Sequence, residues 1–398
     1  MRILVIDREP PIYPRHGNAL IAMEMFPRLR HHDISLIAPV HPHELGRALE
    51  LLRPIFRHVR LVPRREWTPA IGGFVESGLT HRLGWLPGLD LSAASAVADE
   101  VQRAVREGRF DVLHIRQLPM AGYARFAPGI PSLLELVDSE TLGAKRALPR
   151  SPRTRLRARV AARVEARAMR GFDAITTVAE ADAAELRSLA PGARVEVVPN
   201  GVDADRFAAP PGGRRDSATL TFVGAMSYPP NVAAATYFAR DVFPLIRRVR
   251  PDARLKIVGR DPDRSVRALE ALPGIEVTGE VADVRPYLAA AAVFVAPMVS
   301  GSGIKNKILE ALAASCPVVA TSLAVDGLPV ADGVHLLVAD ARAAFADAVV
   351  DLIRRPDRAG ALARAGRDLI AERFTWGRCA SRYDALYAEL AHRRTAVA

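Results

Sequence analysis

The segment from Pro297 to Ala313 holds residue types that bind anions, at a spacing that places them together. A loop of small residues follows a buried apolar run and leads into a helical pattern. The N-terminus of a helix presents unpaired backbone N–H groups, and glycine lets a phosphate approach the backbone closely. At helical spacing, Gly303, Lys307 and Glu310 share one face. Another face is apolar and suited to packing on a sheet: Ile304, Ile308 and Leu312.

This pattern suggests that a diphosphate binds at the helix start. Lys305 and Lys307 would add cationic contacts, and Glu310 lies about 10 Å further along at roughly 1.5 Å per residue, a plausible distance for a ribose. A carboxylate can accept hydrogen bonds from both ribose hydroxyls, as it does in dinucleotide-binding folds. The alternative is a solvated pair of Lys307 and Glu310 at i, i+3. The residues alone leave both interpretations open.

The elements that must position this segment alternate between apolar strands and helices along the whole chain, which favours doubly wound parallel sheets. In the first half we predict strands at Ile3 to Ile6, Ile34 to Ala38, Val59 to Val62, Asp111 to Ile115, Leu133 to Val137, Ala174 to Val178 and Val195 to Val198. In the second half we predict strands at Leu220 to Gly224, Leu255 to Val258, Ile275 to Thr278, Val293 to Ala296, Val318 to Ala320 and His335 to Val338.

Turn-forming residues between Pro199 and Arg215 mark a linker between two Rossmann-like halves. We therefore expect an N-terminal domain over residues 1–198, a C-terminal domain over 199–375, and a final helix over 376–398 that returns to the first domain. The substrate cleft is expected between the halves, at the carboxyl ends of the strands. The stretch from Arg64 to Leu91 fits neither period and is either a long functional loop or a surface excursion anchored by its tryptophans.

Composition narrows the function classes. The 398 residues suffice for two to three domains, and the two cysteines lie far apart without a metal-binding spacing, as expected in a reducing compartment. The longest apolar run, Leu288 to Val299, is too short to span a membrane, and the first residues indicate a strand rather than a signal sequence. The net charge of +11 would attract phosphorylated substrates, anionic lipid or nucleic acid.

The basic helix expected over Arg150 to Arg170 carries an apolar stripe of Leu156, Val160 and Val164. Such a helix can lie on an anionic membrane, or it can be an ordinary solvated surface helix. Nucleic acid is not expected as a partner, because aromatic residues are only 6% of the chain and none are interleaved with this helix.

Several motifs in the second half occur in a consistent order: Val198 to Asp203, Phe222 to Asn231, Ile257 to Gly259, Val277 to Tyr287, Gly303 to Ala311 and Pro317 to Ala320. Together they resemble the C-terminal half of the family-4 retaining glycosyltransferases. Within that family, the Tyr-Pro-Pro-Asn stretch and the Asn-Lys-x-Leu-Glu-Ala run are similar to sugar transferases associated with exosortase and PEP-CTERM exopolysaccharide systems. The resemblance covers nearly the whole chain and is strongest from Pro199 to Asp340.

The resemblance implies a GT-B fold, in which two Rossmann-like doubly wound α/β domains face a central cleft. It also implies transfer of a sugar from a nucleoside-diphosphate donor with retention of configuration, without a metal or other cofactor. Glu310 matches the glutamate that binds the donor ribose, Lys305 a basic residue of the phosphate turn, and Val281 the contact with the base. The expected donor-binding residues are Gly17, Gly224, Asn231, Val281, Ser302, Gly303, Ile304, Lys305, Lys307 and Glu310.

The chain departs from the family pattern at four places. Ser302 stands where the family has the first of two glutamates, and Ala225 stands where it often has an arginine. Arg116 replaces the second histidine of a His-x-His motif that begins at His114, and Val137 replaces a histidine beside Asp138. Cationic compensation is therefore expected from Lys305 and Lys307, or from Arg260.

Catalytic roles in the first domain are expected at the strand ends. Arg116 would bind donor phosphate or an acidic acceptor, and Asp138 or Glu140 would orient or deprotonate an acceptor hydroxyl. The alternative for each of these residues is a structural ion pair or a helix cap, and His114 is expected to be a core residue.

We therefore expect an enzyme, cytoplasmic or peripheral at the inner membrane face, that glycosylates a small-molecule or lipid-linked glycan acceptor. Two other functions remain open: a nucleotide-sugar epimerase or phosphorylase of the same architecture, and a non-catalytic protein that binds sugar nucleotides or polyanions.

Overall fold

The computed structural model describes residues 1–12, 17–64, 94–147, 151–208 and 215–397. Its contacts divide the chain into a first unit, Met1–Pro199 with Trp376–Ala398, and a second unit, Asn200–Thr375. His16, Arg150, most of the stretch from Arg64 to Leu91 and part of the expected linker lie outside the described residues.

The first unit is built on a parallel sheet of seven strands in the order β3-β2-β1-β4-β5-β6-β7. The strands are β1 Arg2–Ile6, β2 Asp33–Val40, β3 His58–Pro63, β4 Val112–Arg116, β5 Ser132–Glu135, β6 Ala174–Thr177 and β7 Val195–Val197. The helices are Gly17–Met25, Leu45–Leu52, Ala94–Glu107, Glu140–Arg146, Pro152–Met169, Glu180–Leu189 and Trp376–Val397. Short 3-10 helices span Phe26–Leu29, Pro42–Glu44 and Leu118–Phe126.

Alternating side chains cover the two faces of this sheet, because successive residues of a strand point to opposite sides. Ile3 and Val5 of β1 belong to one apolar core, whereas Leu4 and Ile6 belong to the other. Burial on both faces explains why β1 is apolar at every position from Ile3 to Ile6. The final helix packs on the first of these cores through Trp376 and several later residues: Cys379, Ala380, Tyr383, Leu386, Tyr387 and Leu390.

The second unit has a parallel sheet of six strands in the order β10-β9-β8-β11-β12-β13. The strands are β8 Thr219–Val223, β9 Arg254–Val258, β10 Ile275–Gly279, β11 Val293–Ala296, β12 Val318–Ala320 and β13 Leu337–Val338. The α-helices are Pro229–Tyr237, Phe243–Val249, Arg264–Arg267, Arg285–Ala290, Asn306–Ala313, Ser322–Val325, Arg342–Arg354 and Pro356–Arg373. A π-helical turn spans Phe238–Val242, and a 3-10 turn spans Ala268–Ala271.

All thirteen predicted strands are present, and their ends differ from the prediction by at most two residues. Each sheet reverses its order once, between β1 and β4 in the first unit and between β8 and β11 in the second. In doubly wound sheets, ligands bind outside the carboxyl ends of the strands at this reversal. None of the described helices is both long and apolar enough to cross a membrane.

Candidate functional site

The reversal point of the second sheet brings together two of the segments predicted to bind a ligand. Strand β8 ends at Val223 and is followed by Gly224, and β11 ends at Ala296 and is followed by the loop that leads to the helix Asn306–Ala313. Strands β8 and β11 are hydrogen-bonded neighbours, so their carboxyl ends open at the same place. The expected donor-binding segments therefore lie at the position where this topology puts ligands.

The loop before the helix is a tight turn of small residues. Gly301 and Gly303 have φ angles of 110° and 68°, which favour glycine because a side chain would strain the backbone there. The Lys305 ammonium donates to the carbonyl oxygens of Ser302 at 2.5 Å and Gly303 at 2.6 Å. Lys305 thus closes the turn.

The helix begins after Gly303, which the helical spacing had placed on the same helix face as Lys307 and Glu310. Lys305 is its N-cap, and the helix runs from Asn306 to Ala313, because the glycine conformations at 301 and 303 are not helical. The side chain of Asn306 accepts a hydrogen bond of 2.9 Å from Asn200, which is buried. Asn200 therefore fixes the helix start; the sequence pattern gave it no role, although it lies within one of the quoted motifs.

Lys307 crosses from this helix to the end of β8. Its ammonium donates to Oδ1 of Asn231 at 2.6 Å and lies 4.4 Å from the centre of the Phe222 ring. The Asn231 amide in turn donates to the carbonyl of Ala225 at 2.9 Å. Gly224 leaves the necessary space, since a Cβ there would lie 2.6 Å from Nδ2 of Asn231 and 2.9 Å from the Lys307 ammonium. Three predicted residues, Gly224, Asn231 and Lys307, are thus in one cluster.

Burial and neighbouring charges perturb both ionisable residues on this helix face. Burial lowers the pKa of Lys307 to about 7, helped by the charge of Lys305 and opposed by Glu310. Burial raises the pKa of Glu310 to about 7, opposed by Lys307 and Arg206. Glu310 as a residue is half-buried rather than sealed in the core. Two polar groups with perturbed pKa values at a sheet reversal are typical of a binding site.

The remaining donor residues predicted in the second unit lie at the same edge with different exposures. Val281 follows β10 and is half-buried, as is Ser302, whereas Ile304 is buried. Arg206 was not predicted, yet its charge acts on Glu310. The sequence gives little indication of this contact, because Arg206 lies in the turn-rich stretch that we assigned to the linker.

In the first unit, Arg116 lies at the reversal point, but its guanidinium is buried. It donates from Nε and Nη2 to both carboxylate oxygens of Glu135 at 3.0 Å and from Nη1 to Asp7. Its Nη2 also donates to the carbonyl of Asn18 at 2.9 Å. Burial disfavours the charged guanidinium and would lower the pKa of Arg116. The carboxylates of Asp7 and Glu135 outweigh this effect, so the pKa is raised. These contacts fit the alternative of a structural ion pair, and the role of Arg116 as a ligand for phosphate or an acidic acceptor stays a prediction.

His114 is a core residue, as predicted. Its side chain is fully buried, its Nδ1 lies 2.7 Å from the hydroxyl of Tyr387, and its Nε2 lies 3.0 Å from Oε2 of Glu135. It therefore links the pair of Arg116 and Glu135 to the final helix.

The first unit also holds two residues at its reversal point that the sequence pattern missed. Asp7 follows β1, is buried, and has a pKa raised by burial against the opposing charge of Arg116. Gln117 follows β4 with a φ of 72°, a strained angle for a residue with a side chain. Its side-chain amide donates to Asp7 at 3.2 Å.

The three acidic and hydroxyl residues after β5 have separate environments. Asp138 is exposed, and Glu140 is half-buried in the first turn of the helix Glu140–Arg146. Ser139 is buried and caps this helix, accepting from the N–H of Leu142. Asp138 and Glu140 thus remain candidates for acceptor contact, whereas Ser139 is structural.

The buried carboxylate of Glu165 holds the start of this helix. It accepts hydrogen bonds from the N–H of Glu140 at 2.7 Å, from the hydroxyl of Thr141 at 2.5 Å and from the hydroxyl of Ser139 at 3.2 Å. Burial raises the pKa of Glu165 to about 6, and these hydrogen bonds oppose the rise.

The basic helix spans Pro152–Met169, and its buried face differs from the predicted stripe. Ala161, Glu165 and Met169 face the interior, whereas Leu156 is 59% exposed and Val160 and Val164 are half-buried. The stripe was misplaced because Glu165, a charged residue, occupies the inner face.

Gly17, the expected donor-binding residue of the first unit, is the first residue of the helix Gly17–Met25.

Two family models match adjacent parts of the chain. Residues 27–201 match "Glycosyl transferase 4-like domain" and residues 217–355 match "Glycosyl transferases group 1", so the two matches together cover most of the chain. The chain belongs to the family-4 glycosyltransferases.

Curated relatives of this glycosyltransferase include mycobacterial enzymes. The chain is 30% identical to the phosphatidyl-myo-inositol mannosyltransferase of Mycobacterium leprae over 203 residues. This alignment covers 49% of this chain and 53% of that protein. The chain is 27% identical to the protein of the same name from Mycolicibacterium smegmatis over 87% of this chain and 82% of that protein. The chain spans little more than half the length of the first relatives it matches, the Mycobacterium leprae protein and an alpha-maltose-1-phosphate synthase.

Solved glycosyltransferase structures share the fold. The HepE protein of Anabaena in complex with UDP and glucose is 14% identical, with a TM-score of 0.70 over 98% of this chain and 100% of that chain. The sucrose-phosphate synthase of Thermosynechococcus elongatus is 16% identical, with a TM-score of 0.75 over 98% of both chains. At these identities the likeness shows the fold alone, which is the α/β GT-B fold.

Lys307 brings a cation close to Ala225, which follows β8. The carbonyl of Ala225 accepts a hydrogen bond from the Asn231 amide nitrogen, and the amide oxygen of Asn231 accepts from Lys307. The ammonium of Lys307 thus reaches this position from the helix Asn306–Ala313.

Proposed function

We propose that the protein transfers a glycosyl group from a nucleoside-diphosphate sugar to an acceptor hydroxyl or amine, with retention of anomeric configuration and without a metal. The observation that carries this proposal is the cluster of Gly224, Asn231 and Lys307 at the reversal of the second sheet, beside the turn that opens the helix carrying Glu310. Family membership supports the reaction class, and the resemblance of the motifs supports retention.

The diphosphate is proposed to bind at the turn of residues 301–305, where glycines allow the backbone to approach and the helix Asn306–Ala313 presents its N-terminus. Lys307 supplies the positive charge. Glu310 is one helical turn beyond Lys307 and half-buried, which suits a carboxylate that binds the ribose hydroxyls. Val281, after β10, is proposed to contact the base.

Departure of the nucleoside diphosphate concentrates negative charge on the leaving oxygens. A cation and backbone N–H groups that are already in place stabilise such charge with little reorganisation. Lys307 is suited to this role because its ammonium lies over the Phe222 ring and is held by Asn231. Lys305 can add a second charge if it leaves the carbonyl oxygens of the turn.

The acceptor is proposed to be a small-molecule or lipid-linked glycan, with Asp138 or Glu140 orienting its hydroxyl. A relative is named for action on phosphatidyl-myo-inositol, a lipid. The basic helix Pro152–Met169 exposes Leu156 among arginines and is proposed to contact anionic membrane, at the inner face and from the cytoplasm. The Tyr228 to Asn231 and Asn306 to Ala311 runs favour the subgroup associated with exosortase systems.

The first test is isothermal titration of the full chain with UDP, GDP, ADP and dTDP. We expect selective binding of one nucleotide, lost in Glu310→Ala and retained in Glu276→Ala, an exposed acid of the same unit that pairs with Lys256. Binding that only follows the salt concentration, equally in both variants, would indicate a polyanion surface instead of a donor site.

The second test identifies the products formed from a panel of nucleotide sugars. A transferase releases free sugar slowly by transfer to water, and faster glycoside formation follows when a suitable acceptor is added. An epimerase would return a different nucleotide sugar, and a phosphorylase a sugar phosphate. The anomeric proton signal of the glycoside, compared with that of the donor, reports retention or inversion.

A further inference from the structure

A cluster of three potential metal ligands lies in the first unit, away from the strand ends used by the proposed reaction. Nε2 of His32 lies 2.7 Å from Oδ1 of Asp384, and Nε2 of His31 lies 3.1 Å from the same oxygen. The histidines immediately precede β2, so they stand at the amino edge of the sheet. Asp384 lies on the final helix, Trp376–Val397. The cluster therefore joins two elements far apart in sequence.

The spacing of these atoms suits a transition metal. Zinc bonds to histidine nitrogen and carboxylate oxygen at about 2.0–2.2 Å, so neighbouring ligand atoms of a tetrahedral ion are about 3.3 Å apart. The two measured separations from the carboxylate are slightly shorter, and one ligand atom from each residue lies within 4.8 Å of the others. A small outward movement of the two exposed side chains makes room for the ion.

The side chains are partly held in place before any ion binds. The His32 side chain is only 5% exposed, and its ring meets the Tyr387 ring edge-on with centroids 6.0 Å apart. The ring of His31 lies 4.1 Å from that of His32. His31 and Asp384 are 55% and 43% exposed, so an ion has access from solvent and water can complete its coordination.

We propose that His31, His32 and Asp384 bind a Zn²⁺ ion, with water as the fourth ligand. Two imidazoles and one carboxylate favour zinc over Mg²⁺ or Ca²⁺, which prefer sites made of oxygen atoms alone. Coordination through Nε2 places the histidine proton on Nδ1. The hydrogen bond between His32 Nε2 and Asp384 is then replaced by bonds from both atoms to the ion. The buried Nδ1 of His32 has no hydrogen-bond partner among the described residues, so this nitrogen gives up no partner when it takes the proton.

The consequence is structural. The ion would tie the final helix to the start of β2, both within the first unit. It would sit at the amino edge of the sheet, whereas Asp7, Gln117 and Asp138 follow the carboxyl ends of their strands. Zinc at this site is therefore independent of the metal-free transfer proposed above, and its binding is measurable without any activity.

The test uses the full chain without a histidine tag, stripped of metal and titrated with ZnCl₂ by calorimetry, and with CoCl₂ followed by visible absorption. We expect one equivalent of zinc to bind. His31→Ala and Asp384→Asn should each weaken binding by about 10-fold or more, since even residues that only orient a metal ligand have effects of this size. His43→Ala is the matched control, an exposed histidine beside Glu44.

Thermal unfolding gives a second readout, because an ion that binds only the folded chain raises Tm. Zinc should raise Tm of the unmodified chain and of His43→Ala but not of His31→Ala, and Mg²⁺ should raise none of them. No zinc binding, or equal binding by His31→Ala and the unmodified chain, would overturn the proposal. Circular dichroism of the exposed-site variant His31→Ala confirms that it folds, so loss of binding is not mistaken for unfolding.

Discussion

Replacing Lys307 by methionine removes one charge from the proposed donor site and little else. Methionine has an unbranched side chain of similar length, but it lacks the ammonium that lies over the Phe222 ring and donates to Asn231 at 2.6 Å. A hydrogen bond that involves a charged group contributes about 1.5–3 kcal/mol. Each 1.4 kcal/mol corresponds to tenfold in affinity. We therefore expect Lys307→Met to bind the preferred nucleoside diphosphate about 10- to 100-fold more weakly.

Calorimetric titration at pH 6.5 and constant salt measures this loss. The control is Lys256→Met, because Lys256 also lies near an aromatic ring, at 5.8 Å from the centre of Tyr287, but on β9 and paired with Glu276. It should retain the affinity of the unmodified chain. Equal affinity of Lys307→Met and Lys256→Met would refute the argument that the Lys307 ammonium meets the diphosphate.

The pH dependence supplies a separate test of the same residue. The pKa of Lys307 in the ligand-free chain is lowered to about 7, so its ammonium form becomes scarcer above pH 7. Because the diphosphate needs that form, affinity should fall by up to about tenfold per pH unit above 7. In Lys307→Met this decline should be absent, and Glu310→Gln, tested in parallel, separates any contribution of Glu310.

Lys307→Met should raise the thermal stability of the folded chain, although it lowers the affinity for the nucleotide. The folded-state pKa of Lys307 lies below its ordinary value, so the charged form is disfavoured by folding. This cost is complete below pH 7 and diminishes as the pH rises from 7 towards the ordinary lysine value. Lys307→Met should therefore raise Tm most at pH 6 and less at pH 9. A lower Tm at pH 6 would show that the ammonium stabilises the free chain.

Three further substitutions test the fold and the site. Gly259→Ala should prevent folding or lower the free energy of unfolding by about 3 kcal/mol or more, measured in urea, because its Cβ would lie 1.7 Å from the carbonyl oxygen of Gly224. Glu165→Ala should lower the free energy of unfolding by about 1–3 kcal/mol, since buried donors lose their acceptor. Lys305→Ala should weaken nucleotide binding in calorimetry more than Arg157→Ala, which lies on the basic helix.

The first two substitutions have control variants, and the third has an outcome that would contradict it. Gly279 also has a positive φ, 71°, but open space around it, so Gly279→Ala should cost only the backbone strain, about 1–2 kcal/mol. Glu389→Ala removes an exposed acid paired with Arg194 and should change the free energy of unfolding little. Equal losses of nucleotide affinity in Lys305→Ala and Arg157→Ala would count against the phosphate turn.

The strand pattern was predictable because it is local. Each strand is a short apolar run bounded by turn residues, and its period needs no knowledge of distant residues. The same holds for the helix face that carries Lys307 and Glu310, which follows from helical spacing alone. The helix start was less predictable, since the positive φ angles of Gly301 and Gly303 shift it to Asn306.

Arg116 shows where local patterns fail. Its type and position at a strand end suggested a ligand contact, but its partners Asp7 and Glu135 lie 109 and 19 residues away in the sequence. No spacing rule joins these three residues. Whether a charged residue meets another protein group or a ligand depends on which strands become neighbours.

The sequence by itself determined the order of strands and helices, the apolar faces and the residue types available to bind a diphosphate. The tertiary structure alone decided that Lys307 meets Asn231, 76 residues away, and that Arg116 pairs with the carboxylates of Asp7 and Glu135. The physical reason is that periodicity is a property of neighbouring residues, whereas charge pairing and pKa values depend on distance in space and on burial.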